Sequence, residues 1–123
     1  MTKIIFKELS YSIVGAAMEV HNGLGPGYLE KVYQTALAHE LSLRNIAFNQ
    51  YQRLIVRYKD IVVGEYEADF VVENKIIIEI KALARLHASH EVQTLNYLTA
   101  TGFKLGLLLN FGAPSLQTKR IVN

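Results

Sequence analysis

The segment EYEADFVVENKIIIEIK, Glu65 to Lys81, constrains this chain more than any other stretch. Two runs rich in β-branched and aromatic residues flank a short polar turn, the pattern of an antiparallel hairpin. Two registers compete. With a two-residue loop, Glu73 and Asn74, Asp69 falls opposite Ile78 and Ala68 opposite Glu79, so each face mixes charges with large apolar groups. With a three-residue loop, Glu73 to Lys75, Val72 falls opposite Ile76. One face then carries Ala68, Phe70, Val72, Ile76, Ile78 and Ile80, and the other carries Glu67, Asp69, Val71, Ile77, Glu79 and Lys81. A slip of one residue moves every side chain to the other face, so patterning selects the second register. Three-residue hairpin loops are common enough to permit it.

That register has a chemical consequence. Asp69 and Glu79 become directly opposed, with Cβ atoms ~5 Å apart. Two carboxylates that close repel each other unless a cation sits between them. A hard divalent ion such as Mg²⁺ suits the pair, since it takes one or two carboxylates and completes its octahedron with water and phosphate oxygens. Lys81 lies one repeat along the same face, roughly 7 Å from Glu79 by the strand rise. Its ammonium is then in reach of a phosphate oxygen or an attacking water. The acid-x-Lys triplet is weak evidence alone, because it occurs at Glu73-Asn74-Lys75 as well as at Glu79-Ile80-Lys81. On most strands such a triplet is a solvated face. The opposed Asp69 is what weighs against that reading, since like charges placed directly across a sheet are destabilising.

The rest of the chain frames the hairpin. Leu9, Ile13, Ala16, Ala17 and Val20 recur at helical spacing, and Asn22-Gly23 ends that helix. GLGPG, Gly23 to Gly27, reads as a tight loop. A second helix carries Leu29, Val32, Tyr33, Ala36, Leu37 and Leu41 on one stripe and ends near Arg44-Asn45. Strands follow at Leu54 to Tyr58, Gly64 to Val72 and Ile76 to Lys81. A third helix runs from Ser89 to Thr101 with Ser89 as N-cap, then an apolar strand from Lys104 to Phe111 and an edge strand from Lys119 to Val122. The order is ααβββαβ(β): one α/β domain over residues 1–123, with a mixed sheet flanked by helices and the third helix as a crossover.

Composition removes several chemistries. There is no cysteine, which excludes disulfides, thiolate nucleophiles and Cys-ligated metals and suits a reducing cytoplasm. No uninterrupted apolar run is long enough to span a bilayer, so a membrane is not expected as a partner. MTKIIFKELS has too short an apolar core for a secretory signal. The net charge of +2 permits an acidic partner such as nucleic acid without requiring one.

Asp69 followed by Glu79-Ile80-Lys81 on the next strand resembles the core of the PD-(D/E)XK nuclease superfamily. More specifically, the chain resembles the GxxExxY protein family. GPGYLEKVY supplies the naming motif as Gly27, Glu30 and Tyr33. HNGLGPG, ALAHEL, YEADFVVENKIIIEIKAL, HEVQTLNYL and GLLLNFG look like its further blocks, in order. Ala68 stands where the superfamily signature has proline, a position that supplies no ligand. The resemblance implies a restriction-endonuclease-like fold and divalent-metal-dependent cleavage of nucleic acid, DNA rather than RNA. It implies Mg²⁺ (or Mn²⁺) held by Asp69 and Glu79 with the carbonyl of Ile80, and Lys81 orienting the nucleophilic water or balancing developing charge. Glu30 matches an acid that often joins the site from the helix before the sheet. With Gly27 as N-cap, Glu30 is equally the N3 residue of a capping-box-like helix start.

Gln93 and Tyr97 match a Gln-x-x-x-Tyr motif found in some superfamily members, and His90 shares their helical stripe. Such groups hydrogen-bond a phosphate or stack on a base. The plain alternative is a core-packed Tyr97 and a rim Gln93. His87 and His90 beside Glu91 lack the further ligands of a zinc site. Arg53, Arg57, Lys59, Arg85, Lys104, Lys119 and Arg120 suit a phosphate backbone only if the fold gathers them. Two rival classes stand beside the enzyme: a non-catalytic nucleic-acid-binding module, and an interaction or homodimerisation domain docking through helix one. So small a core leaves little surface for recognition, which favours a homodimer or a partner protein.

Overall fold

The computed structural model describes residues 4–123. Met1 to Lys3, at the start of MTKIIFKELS, lie outside the described residues. Helices α1 (Lys7–Leu24) and α2 (Glu30–Leu43) precede strands β1 (Phe48–Tyr58), β2 (Ile61–Val72) and β3 (Ile76–Lys81). Helix α3 (Ala88–Thr101), β4 (Leu105–Asn110) and β5 (Gln117–Val122) complete the chain. The five strands lie in sequence order in one sheet. All neighbours are antiparallel except β3 and β4, which α3 connects in parallel. This is the expected ααβββαβ(β) order with the last strand present. Among the described residues no helix is long and apolar enough to cross a membrane.

The central hairpin takes the three-residue loop: Val72 pairs with Ile76, Val71 with Ile77 and Phe70 with Ile78. Glu73 and Asn74 at the turn have φ of 50° and 56°. One face of the sheet buries Phe70, Val72, Ile76, Ile78 and Ile80 against Ile13, Ala16, Ala17 and Val20 of α1 and Tyr33, Leu37 and Leu41 of α2. The other buries Val71, Ile77 and Leu108 against Leu98 of α3. With helices on both faces, β3 and β4 must read as continuous apolar runs rather than alternating ones. LGLLLN is buried throughout.

Ala68 departs from the expected pattern. It packs with Tyr66, Val71 and Ile77 on the α3 face rather than with Phe70 and Val72. The alternation of β2 changes phase at Asp69. On the β1 side the ladder passes from Gln50–Phe70 to Gln52–Ala68, and the intervening Tyr51 is left-handed at φ 54°. On the β3 side the ladder stops at Phe70–Ile78. Such an irregularity re-aims side chains, and a period-two reading of sequence cannot see it.

Element ends differ from expectation as well. Strands β1 and β2 extend well beyond the apolar runs, because the long hairpin they form carries Arg53–Glu65 and other polar pairs. Helix α2 begins at Glu30 with Leu29 as its N-cap, so Leu29 is 80% exposed instead of joining the apolar stripe, and Glu30 is the first helical residue rather than N3. Helix α3 is capped by His87, not Ser89.

Helix α1 runs on through Gly23 and Leu24 to its C-cap at Gly25, so the GLGPG loop starts later than the expected Gly23, and it is fastened by Tyr33. Its buried hydroxyl donates to the Gly25 carbonyl at 2.7 Å and accepts from the Tyr28 N–H at 3.1 Å. Its ring stacks on Phe111 with centroids 4.8 Å apart. Gly27, at φ 111°, occupies backbone space that side chains rarely enter. The Gly27, Glu30 and Tyr33 spacing therefore has a local reason: glycine turns the chain, tyrosine anchors the turn, and the acid starts the helix, where its charge favours the positive end of the dipole.

Candidate functional site

At Asp69 the β2–β3 ladder is replaced by a side chain. Oδ2 of Asp69 accepts the Ile80 N–H at 2.7 Å. Asp69 is thereby tied to the backbone of the Glu79-Ile80-Lys81 segment where the strands stop pairing, and does not itself line the cleft beside them. Glu79 and Lys81 line this cleft of ≈ 280 Å³ with Tyr66 and Glu67 of β2 and Gln93, Thr94 and Tyr97 of α3.

Helix α3 closes the cleft because Gly106 lets it approach β4: a Cβ there would stand 2.9 Å from the Thr94 methyl. The loop leading into α3 is pinned by fully buried Asn110. Its Oδ1 accepts from the Leu83 and Gly112 N–H groups, and its Nδ2 donates to the Leu83 carbonyl and to Gln117 Oε1. Asn110 sits beside Lys81 in the parallel β3–β4 register.

The electrostatics set the two carboxyls apart from ordinary surface acids. Burial pushes Asp69 up to about 6; the Ile80 N–H pulls it down and Glu30 pushes it up further. Burial pushes Glu79 up to about 8, with Lys81 opposing and Glu30 adding. Oε1 of Glu79 is buried with no hydrogen-bond partner. The exposed Glu30, at the start of α2, is therefore felt by both carboxyls without bonding to either. A hydrogen-bond chain ties its helix to β1 at the left-handed Tyr51: Lys31 Nζ donates to the Tyr51 hydroxyl at 2.8 Å, which donates to Gln34 Oε1 at 2.8 Å.

The chemistry of these donors matches a divalent ion. Two carboxyls, one with an orphaned oxygen and both held above their ordinary range by burial, are the groups a cation would relieve. Among the described residues no three Asp, Glu, His or Cys side chains converge on one point, so no all-protein cage exists. The set fits an ion that takes one or two carboxylates and keeps water, as Mg²⁺ does, and does not fit a three-ligand zinc centre.

The structure brings Gln93 and Tyr97 into the same cleft as Glu79 and Lys81. One face of the Tyr97 ring is covered by Tyr66, with centroids 3.6 Å apart and planes 6° from parallel. His90 is not among the residues lining the cleft and serves its own helix. Its Nδ1 accepts the His87 N–H at 3.2 Å, closing the start of α3. Desolvation, then Lys81 and His87, lower its pKa. Of the basic residues, Arg53 pairs with Glu65, Lys119 approaches Glu91 at 3.7 Å, and Arg120 donates to Ser10 Oγ and the Ile5 carbonyl. These three side chains are engaged by the protein itself.

Sequence reasoning missed Tyr66, Thr94 and Asn110. Tyr66 and Thr94 carry no motif, and their place depends on the phase change in β2 and the close approach of α3. Asn110 ends an apolar run opposite Lys81, and that position was its only signal.

A family model for the PD-(D/E)XK nuclease superfamily matches residues 7–121. The chain belongs to the PD-(D/E)XK nuclease superfamily. Its fold is restriction-endonuclease-like. Among solved structures, the crystal structure of SSO0001 superposes with a TM-score of 0.57 at 20% identity, over 96% of this chain and 57% of that one. An alkaline exonuclease (LHK-Exo) from Laribacter hongkongensis superposes with a TM-score of 0.55 at 12% identity, over 100% of this chain and 72% of that one. At these identities the likeness is one of fold. This superfamily member spans little more than half the length of SSO0001. No curated relative matches the sequence.

Proposed function

We propose that this protein is a divalent-metal-dependent nuclease of the GxxExxY kind that hydrolyses phosphodiester bonds in nucleic acid, DNA in preference to RNA. The observation that carries the reading is the buried, unpartnered Oε1 of Glu79, beside Asp69 and Lys81 at the open end of the strand pair. Asp69, Glu79 and the carbonyl of Ile80 would hold Mg²⁺ (or Mn²⁺), and Glu30 would reach a second ion directly or through water. When bound, the ion supplies an acidified water and steadies charge on the phosphate oxygens.

The chain's own residues divide the remaining work. Asp69 is fixed by the Ile80 N–H and so presents its other oxygen in a set direction. Lys81 offers a fixed positive charge to the attacking water or to a phosphate oxygen as charge develops there. Gln93, on the facing wall, hydrogen-bonds the substrate backbone. Packed Val71, Ile77 and Leu108 beneath the cleft keep this geometry rigid. The absence of cysteine fits a protein working in the cytoplasm.

The test is a melting series in Mg²⁺ and Mn²⁺ with cleavage assays on single- and double-stranded DNA and RNA, comparing wild type with Asp69→Asn and Glu79→Gln. Asparagine is the informative change at 69, because alanine also strips the Ile80 N–H of its acceptor. The expected result is a metal-dependent rise in Tm and cleavage that both variants lose. Salt-sensitive binding of nucleic acid that survives both substitutions, with no metal effect, favours a non-catalytic binding module instead.

A further inference from the structure

Two side-chain polar atoms among the described residues are buried without a partner, and both belong to residues of the same cleft: Glu79 Oε1 and the hydroxyl of Tyr66. Buried polar groups in native proteins are nearly always satisfied, and an exception calls for a water, an ion or a ligand. A metal accounts for the carboxylate. It does not account for the phenol, which is a donor.

Tyr66 is only 7% exposed, so the phenol is not left to bulk water. Its ring is clamped flat against Tyr97, which leaves the hydroxyl little freedom to find a partner by rotating. Two of the polar neighbours in the cleft are engaged elsewhere, and none bonds to the phenol. The Thr94 hydroxyl donates to the His90 carbonyl at 2.9 Å, and Glu65 pairs with Arg53. If the ring were needed for packing alone, phenylalanine would fill the same volume without the cost of an unpaired hydroxyl.

We propose that Tyr66 is a further substrate-binding residue, whose hydroxyl donates a hydrogen bond to a non-bridging oxygen of the phosphodiester held beside Glu79 and Lys81. The inference rests on the nuclease reading and adds a contact from β2, in the cleft that Gln93 also lines. A phenol suits this place: it donates to an anionic oxygen and adds no charge next to Glu67 and Glu79. A hydrogen bond to a charged oxygen is among the stronger ones, and its removal weakens binding on the order of 10-fold or more.

Tyr66→Phe separates the possibilities, because it keeps the ring stack and deletes only the hydroxyl. A short fluorescently labelled DNA is titrated with wild type and variant, with Ca²⁺ in place of Mg²⁺ to preserve the probe, and KM and kcat are then measured in Mg²⁺. Melting is recorded without DNA. The expected result is about 10-fold weaker binding or a matching rise in KM, with a Tm equal to or above that of wild type. Wild-type binding and cleavage in Tyr66→Phe would overturn the inference and leave the nuclease reading standing. A lower Tm in the variant also overturns it, since the hydroxyl then has a structural partner. Failure of wild type itself to bind or cleave any nucleic acid removes the nuclease reading, and this inference with it.

Discussion

At one end of the β2–β3 pair, Phe70, Val71 and Val72 face Ile78, Ile77 and Ile76 in register, and all six are fully buried. At the other end, one or two residues along the same strands, the ladder stops and a carboxylate takes a backbone N–H instead. The first end satisfies its polar groups by pairing and its apolar groups by helices on both faces. The second leaves a carboxylate oxygen and a phenol without partners. The contrast shows where a small domain can keep reactive groups. Strain and desolvation are tolerated at the end of a ladder because the adjoining, fully packed end holds the strands in place.

That contrast can be broken from either side. The largest effect on stability belongs to the closed end. Ile78→Ala should cost about 2–5 kcal/mol, because the fully buried site cannot collapse around the cavity. A denaturant titration measures it, with Ile61→Ala at the exposed hairpin tip, within about 0.5 kcal/mol of wild type, as the control. At the open end, Lys81→Met should leave the fold intact and reduce cleavage by about 10²–10³-fold, the usual scale for one lost charge-stabilising group. An equal loss of folding in both variants would erase the distinction between the two ends.

The pH dependence sharpens it. Glu79 holds its proton in the folded protein up to about pH 8, whereas the unfolded chain releases it near 4.5. Asp69 does the same between 3.8 and about 6. Between those limits the folded state binds more protons than the unfolded one, so stability falls as pH rises. The metal-free protein should therefore melt at progressively lower temperature from pH 4.5 to about pH 8. Glu79→Gln should remove most of the upper part of that slope. Millimolar Mg²⁺ should flatten the wild-type curve, because an ion favours the ionised carboxylates.

The smallest effect expected lies in the loop that delivers Glu30. Tyr33→Phe deletes the hydroxyl that joins the Gly25 carbonyl and the Tyr28 N–H, at a cost of about 1–2 kcal/mol. Hydrogen exchange should then report faster opening of Gly25 to Leu29, while the β2–β3 ladder stays protected.

Much of this was legible in the order of residues. Hydrophobic periodicity places the helices and the three inner strands, and only one hairpin register separates apolar residues from charged ones, so the loop length at Glu73 to Lys75 follows from pattern alone. The expected opposition of Asp69 and Glu79 is not what the ladder shows: pairing stops at Phe70–Ile78, and Asp69 takes the Ile80 N–H instead. Helix starts were not legible either. Glu30 as first residue of α2 and His87 as cap of α3 depend on how the preceding loops arrive, which competing polar residues nearby leave undetermined.

What the sequence by itself determined is the hairpin's loop length and register, and the presence of Asp69, Glu79 and Lys81 on its two strands. The register is a consequence of the two-residue period of a strand, which needs no knowledge of the neighbours. Only the tertiary structure decided that β2 changes phase at Asp69. That change sends Tyr66 and Ala68 to the α3 face, and Gly106 lets α3 come close enough to make a cleft there. Both depend on contacts between segments far apart in the chain, and the burial that lifts the pKa of Asp69 and Glu79 exists only once those segments have packed.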